Sequence, residues 1–109
     1  MRILIRMAAS LSPSLAPLAR RRFESALGGF GDRVRSLAVH LADLNGPRGG
    51  VDKRCRVAIR LTSLPRLIVI EDTDAEAAVA IGRAAERGAR MVARAVQTLT
   101  NGRHLERAY

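Results

Sequence analysis

The stretch "TDAEAAVAIGRAAERGARMVARAVQTL", 73–99, constrains the fold most. Ala77, Ile81, Ala84, Ala85, Gly88, Val92, Ala95 and Leu99 recur at helical period and form one apolar stripe. Most of them are small. A long helix with such a stripe can lie close against a flat apolar surface and has little reason to exist without one. Thr73 and Glu76 have the spacing of a capping box at its start.

"KRCRVAIRL", 53–61, supplies such a surface. Cys55, Val57, Ile59 and Leu61 alternate with Arg54, Arg56, Ala58 and Arg60, the period of a strand with one face buried. "RILIRM", 2–7, and "RVRSLAVHLADL", 33–44, read the same way, with Leu37, Val39 and Leu41 inward. Val34 is out of phase with that set, which predicts a bulge. "RLIVIE" is an apolar run of high strand propensity. Between the first two strands, Ser14 reads as the N-cap of a helix ending near Leu27 at Gly28-Gly29, with Leu15, Ala19, Phe23 and Ala26 on one side. "NGPRGG" and "SLPR" are turns. The expected fold class is therefore α+β, a two-layer β-α-β-β-β-α sandwich with a four-stranded sheet and two helices on one face. Residues 1–100 read as a single domain and 101–109 as a frayed C-terminal tail.

Charge narrows the partners. Of 109 residues, 19 are Lys or Arg and 10 are Asp or Glu, for a net charge of +9. Lys53 is the only lysine. Guanidinium groups suit phosphate, and this excess implies attraction to a polyanion, either nucleic acid or an anionic membrane. A single cysteine, Cys55, excludes an internal disulfide and fits a reducing cytosol. No apolar run approaches the ~18 residues of a membrane span. Residues 1–22 contain no acid, the composition of a transit peptide. Their strand pattern and helix-start chemistry read instead as structure.

On a helical wheel of about 100° per residue, Arg83, Arg87, Arg90 and Arg94 share a narrow sector opposite the apolar stripe. Only Glu86 and Gln97 lie near that row. Like charges at these spacings repel by a few tenths of a kcal/mol. A solvated face is the bland explanation; the overall charge favours a row that contacts phosphate.

Residues 43–61, the string "NGPRGGVDKRCRV" within them, and the helix opening "EDTDAEAAVAI" resemble the ribosome hibernation-promoting factor family, also called ribosome-associated inhibitor A or sigma-modulation proteins. The resemblance spans the chain in element order. It implies a β-α-β-β-β-α fold whose basic helix surface docks on small-subunit ribosomal RNA near the decoding and tRNA sites, silencing translation without catalysis in the cytoplasm. The RNA-contacting residues it implies are Arg83, Arg87, Arg90 and Arg94, with Arg21 and Arg22 from the first helix. Many members carry an aromatic where Ala78 stands and an acid where Gly82 stands. A short form without the C-terminal dimerisation domain of long-form members, or a divergent relative, is expected. The partners expected are the small subunit and its rRNA, with no membrane and no DNA specificity. A general RNA-binding domain, or a homodimer through the sheet face or an edge, are the competing readings.

No cofactor, metal or catalytic site is expected. His40 and His104 have no partner acid or nucleophile at a recognisable spacing. Cys55 falls on the apolar face of its strand and reads as a small hydrophobe. The acids of "EDTDAE" read as helix N-terminal carboxylates. "NGPRGG" lacks the lysine and hydroxyl of a nucleotide-binding loop, though its backbone amides and Arg48 suit an RNA phosphate. Arg54, Arg56 and Arg60 project from the sheet face away from the helices; widening the basic surface, binding a partner and keeping an open sheet soluble are the readings open to them, with solubility favoured.

Overall fold

The computed structural model describes the backbone of residues 1–45, 52–65 and 67–107, with side chains through 98. Its elements are β1 (Arg2–Met7), α1 (Leu15–Leu27), a 3-10 segment (Gly28–Arg33), β2 (Val34–Asp43), β3 (Lys53–Leu61), β4 (Leu67–Asp74) and α2 (Ala77–Arg107). The strands form one sheet in the order β1-β2-β3-β4. β1 runs parallel to β2, and the other two pairs are antiparallel. Parallel neighbours need a crossover connection, and α1 provides it. The α+β sandwich read from the pattern is the observed fold.

Strand alternation sorts the side chains. Leu37, Val39, Leu41, Cys55, Val57, Ile59, Ile68 and Ile70 are buried on one face of the sheet. Ala19, Phe23 and Leu27 of α1 and Ala80, Ile81, Ala84, Ala85, Val92 and Ala95 of α2 close over them. The bulge anticipated at Val34 is present as a register shift between Val34 and Ser36, which lets Val34 and Leu37 both face the core. At Gly88 the helix sits directly on the sheet: an added Cβ would lie 3.3 Å from Ile59 Cδ1 and 3.7 Å from Ile70 Cδ1. The small-residue stripe is what permits that approach.

Local chemistry departs from the sequence expectation at several junctions. Ser14 is the residue before α1, but it has helical φ/ψ and makes no side-chain cap; its hydroxyl lies 2.8 Å from that of Ser12. Gly28 also keeps helical angles, and the positive φ occurs at Gly31 (57°), where the chain turns into β2. The capping box at Thr73 and Glu76 does not form, because β4 extends through Asp74. The Asp74 side chain instead accepts a hydrogen bond from the Glu76 N–H at 2.9 Å. Helical backbone continues to Arg107, past Leu99, where the pattern reading placed the start of a tail. An isolated Gly inside a helix costs only about 1 kcal/mol relative to Ala, so Gly102 does not stop it.

Candidate nucleic-acid interface

The extension of β4 decides how the arginines of α2 are held. Ile68 and Ile70 face the helices, and by the same alternation so do Asp72 and Asp74. The apolar inner face of the strand thus becomes acidic in its last four residues, beneath the first turns of α2. Arg83 Nη1 lies 3.3 Å from Asp72 Oδ1, and Arg83 Nη2 lies 3.1 Å from Asp74 Oδ1. Arg87 Nη1 lies 3.4 Å from Asp72 Oδ2 and donates to the Glu71 carbonyl at 2.7 Å. The Asp72 carboxylate is 11% exposed, while Arg83 and Arg87 remain 50% and 46% exposed.

The row of four is therefore not uniform. Expecting only Glu86 and Gln97 near it was wrong for its N-terminal half, because the neutralising acids come from another element. Arg90 and Arg94 are exposed and have no ion pair or hydrogen bond among the described residues. At 1.5 Å per residue, Arg94 sits roughly 10 Å farther along the helix than Arg87, beyond the acids at the end of β4.

Arg83 and Arg87 also act on the backbone. The Thr73 and Glu71 carbonyls belong to an edge strand, and Arg83 and Arg87 donate to them at 3.5 and 2.7 Å. At the opposite edge, Arg20 Nη2 donates to the Ile3 carbonyl of β1 at 3.4 Å. Charged side chains over edge carbonyls discourage pairing with another chain. Three arginines thus serve the fold at the sheet edges.

On α1, Arg21 and Arg22 are both exposed. Arg22 reaches α2: a Cβ at Gly82 would come within 2.5 Å of Arg22 Nη2 and 3.4 Å of its Cζ. The guanidinium occupies the space that glycine leaves on α2. Arg48 lies outside the described residues, as do the remaining positions of "NGPRGG" from Gly46 to Gly50.

Two other features, an ion-paired lysine and a buried thiol, are structural. Lys53 Nζ bridges Asp52 Oδ2 at 2.9 Å and Asp43 Oδ1 at 3.2 Å, tying the base of the β2–β3 connection. Its hydrogen bond to Asp52, 1% exposed, is the main reason its pKa rises above the usual lysine value. Burial, with Asp72 opposite it as the lesser cause, pushes the Cys55 thiol up to about 12. Such a thiol is not a nucleophile at neutral pH. His40 is exposed on the outer sheet face. Among the described residues no group of three or more His, Cys, Asp or Glu side chains is placed to hold a metal ion, and no described helix is long and apolar enough to cross a membrane.

No protein-family model matches the chain, and no curated protein matches its sequence. Solved structures do match its shape. The N-terminal domain of Protein Y from Thermus thermophilus superposes with a TM-score of 0.63 at 18% identity, over 85% of this chain and 93% of that one. A ribosomal subunit interface protein from Coxiella burnetii gives a TM-score of 0.72 at 11% identity, over 89% of this chain and 99% of that one. This chain shares their fold. At such identities the likeness is one of backbone architecture, and it agrees with the architecture that the family resemblance implied.

Proposed function

We propose that this protein binds small-subunit ribosomal RNA through the exposed arginines of its helix layer and silences translation by occupying tRNA or messenger sites. The observation that carries the reading is the pair Arg90 and Arg94. Both are exposed guanidinium groups on a rigid helix, in no ion pair among the described residues, on a fold shared with a ribosomal subunit interface protein. Arg21 and Arg22 extend the basic surface on the neighbouring helix.

Energetics rank the contributors. Arg90 and Arg94 lose no protein partner on meeting a phosphate. Arg83 and Arg87 are half exposed, and exposed ion pairs contribute only about 0.2–1 kcal/mol each, so each can reach a phosphate while keeping part of its contact. Full release would strip both partners from the nearly buried Asp72, which makes them secondary binders. Arg48 on the β2–β3 connection is proposed as a further phosphate contact. The role is occlusion rather than catalysis, which places the protein with ribosomes in the cytoplasm.

Salt dependence tests this directly. Association with purified small subunits, followed across a range of salt, is expected to weaken linearly in log–log form. Arg90→Gln with Arg94→Gln should flatten the slope by roughly 0.7–0.9 per lost phosphate contact. Arg83→Gln with Arg87→Gln should flatten it less. An unchanged slope in the Arg90/Arg94 variant removes the proposed interface.

A further inference from the structure

The strand register assembles a second surface on the sheet face opposite the helices. Cross-strand partners place Leu4, Ala38, Ala58 and Val69 in one row. The row on one side is Arg2, Ser36, Arg60 and Leu67, and on the other Arg6, His40, Arg56 and Glu71. An apolar band thus crosses the whole sheet between two basic rows. Leu4 is 53% exposed, Val69 46% and Leu67 41%. The alanines and Ser36 at the centre make the band concave, with a shallow hollow of about 310 Å³ beside Arg2 and Arg60.

Charge on this face is one-sided. Alternation puts Arg2, Arg6, Arg54, Arg56 and Arg60 outward, against the single acid Glu71. Glu71 lies 3.6 Å from Arg56 Nε. Arg2, Arg6 and Arg60 have no ion pair or hydrogen bond among the described residues. Solubility would be served by mixed charge and does not call for large exposed aliphatics between the arginines.

We infer that this outer sheet face docks an acidic protein segment bearing aliphatic side chains, which seat over Leu4, Ala38, Ala58 and Val69 while its carboxylates meet Arg2, Arg6 and Arg60. Charge complementarity selects the occupant. Single-stranded nucleic acid on a sheet relies on aromatic side chains for base stacking, and these strands carry no Phe, Tyr or Trp, with His40 the one ring on the face. A second copy of this chain would oppose arginine with arginine, and like charges across an interface disfavour binding. An acidic, leucine-bearing peptide satisfies both halves of the surface. Because Arg90 and Arg94, which carry the proposed RNA interface, are on the helix layer, the two faces can be occupied together, and the peptide site stands or falls without them.

The test uses the full chain and a fluorescein-labelled synthetic peptide of mixed glutamate and leucine. A polyglutamate peptide of equal charge and a short oligouridylate serve as competing probes. The glutamate–leucine peptide should bind more tightly than polyglutamate, and amide chemical-shift changes should centre on Leu4, Ala38, Ala58 and Val69. Leu4→Ser with Val69→Ser should weaken it roughly tenfold, and Arg2→Gln with Arg60→Gln should weaken it and reduce its salt dependence. These positions are exposed, so the variants keep the fold, which circular dichroism checks; binding of oligouridylate should be unaffected by them. Equal affinity for polyglutamate, shifts confined to the helices, or peptide binding unaltered in both variants would each overturn the inference. So would loss of oligouridylate binding in these variants, which assigns the face to nucleic acid, or a concentration-dependent dimer that the same variants abolish.

Discussion

Two glycines of α2 show how differently one residue type is used. A Cβ at Gly82 meets only the tip of Arg22, a long side chain that can swing away, whereas at Gly88 it meets the buried Ile59. Gly82→Ala is therefore expected to stabilise the protein by about 0.5–1 kcal/mol, the helix-propensity difference. Gly88→Leu should destabilise it by roughly 1–3 kcal/mol or more through overpacking. Denaturant midpoints distinguish the two, and a destabilised Gly82→Ala variant would mean that Arg22 is held firmly in place. Cys55 makes a prediction about pH. Its thiol ionises at 9.0 in an open chain and at about 12 in the fold. Between those values the unfolded state has released a proton that the native state keeps, so stability falls as pH rises. Lys53, raised above 10.5, acts in the same direction: its contribution is complete below 10.5 and is lost as pH climbs through the folded-state value. Unfolding free energy measured from pH 8 upward, at values set by these two groups, should decline, less steeply in Cys55→Ala. A flat profile contradicts the burial of that thiol.

Among the elements, what could be read from the chain was set by the range of the interaction responsible. The alternation in β3 and the bulge at Val34 were legible because burial there follows a local period. Leu27 escaped the α1 pattern, and Leu11, buried at 7% in the loop before α1, had no periodic neighbours to reveal it. The arginine row was legible as a row, since a helical wheel places residues on one helix. Its partners were not. Asp72 is eleven residues from Arg83 in sequence and meets it only because β4 runs on to Asp74, where local motif reading had begun a helix cap. This pairing carries its own prediction. Asp72→Asn should release Arg87 from its carboxylate and leave Arg83 with Asp74 alone, steepen the salt dependence of RNA association and tighten it at low salt. The loss in stability should be about 1 kcal/mol or less for these half-exposed arginine partners. Weaker RNA association in this variant would show that Asp72 positions the two arginines for RNA instead of competing with it.

For the molecule as a whole, the fold separates two charged surfaces by the thickness of a single core. The helix layer presents Arg90 and Arg94 on a rigid rod, and the bare sheet presents arginines around an aliphatic band. Arginines at both sheet edges cover carbonyls that would otherwise offer pairing to another chain. Net charge alone explains none of this placement; the strand register and the helical period do. The most direct measurement is gradient sedimentation of small subunits with the purified protein, combined with chemical footprinting of the rRNA. Wild-type protein should co-migrate with the subunit, protect a discrete rRNA region and be released by salt, while the Arg90→Gln, Arg94→Gln variant stays near the top of the gradient. Wild-type protein that never enters the subunit peak, or a variant that co-migrates equally well, would contradict binding through the helix layer.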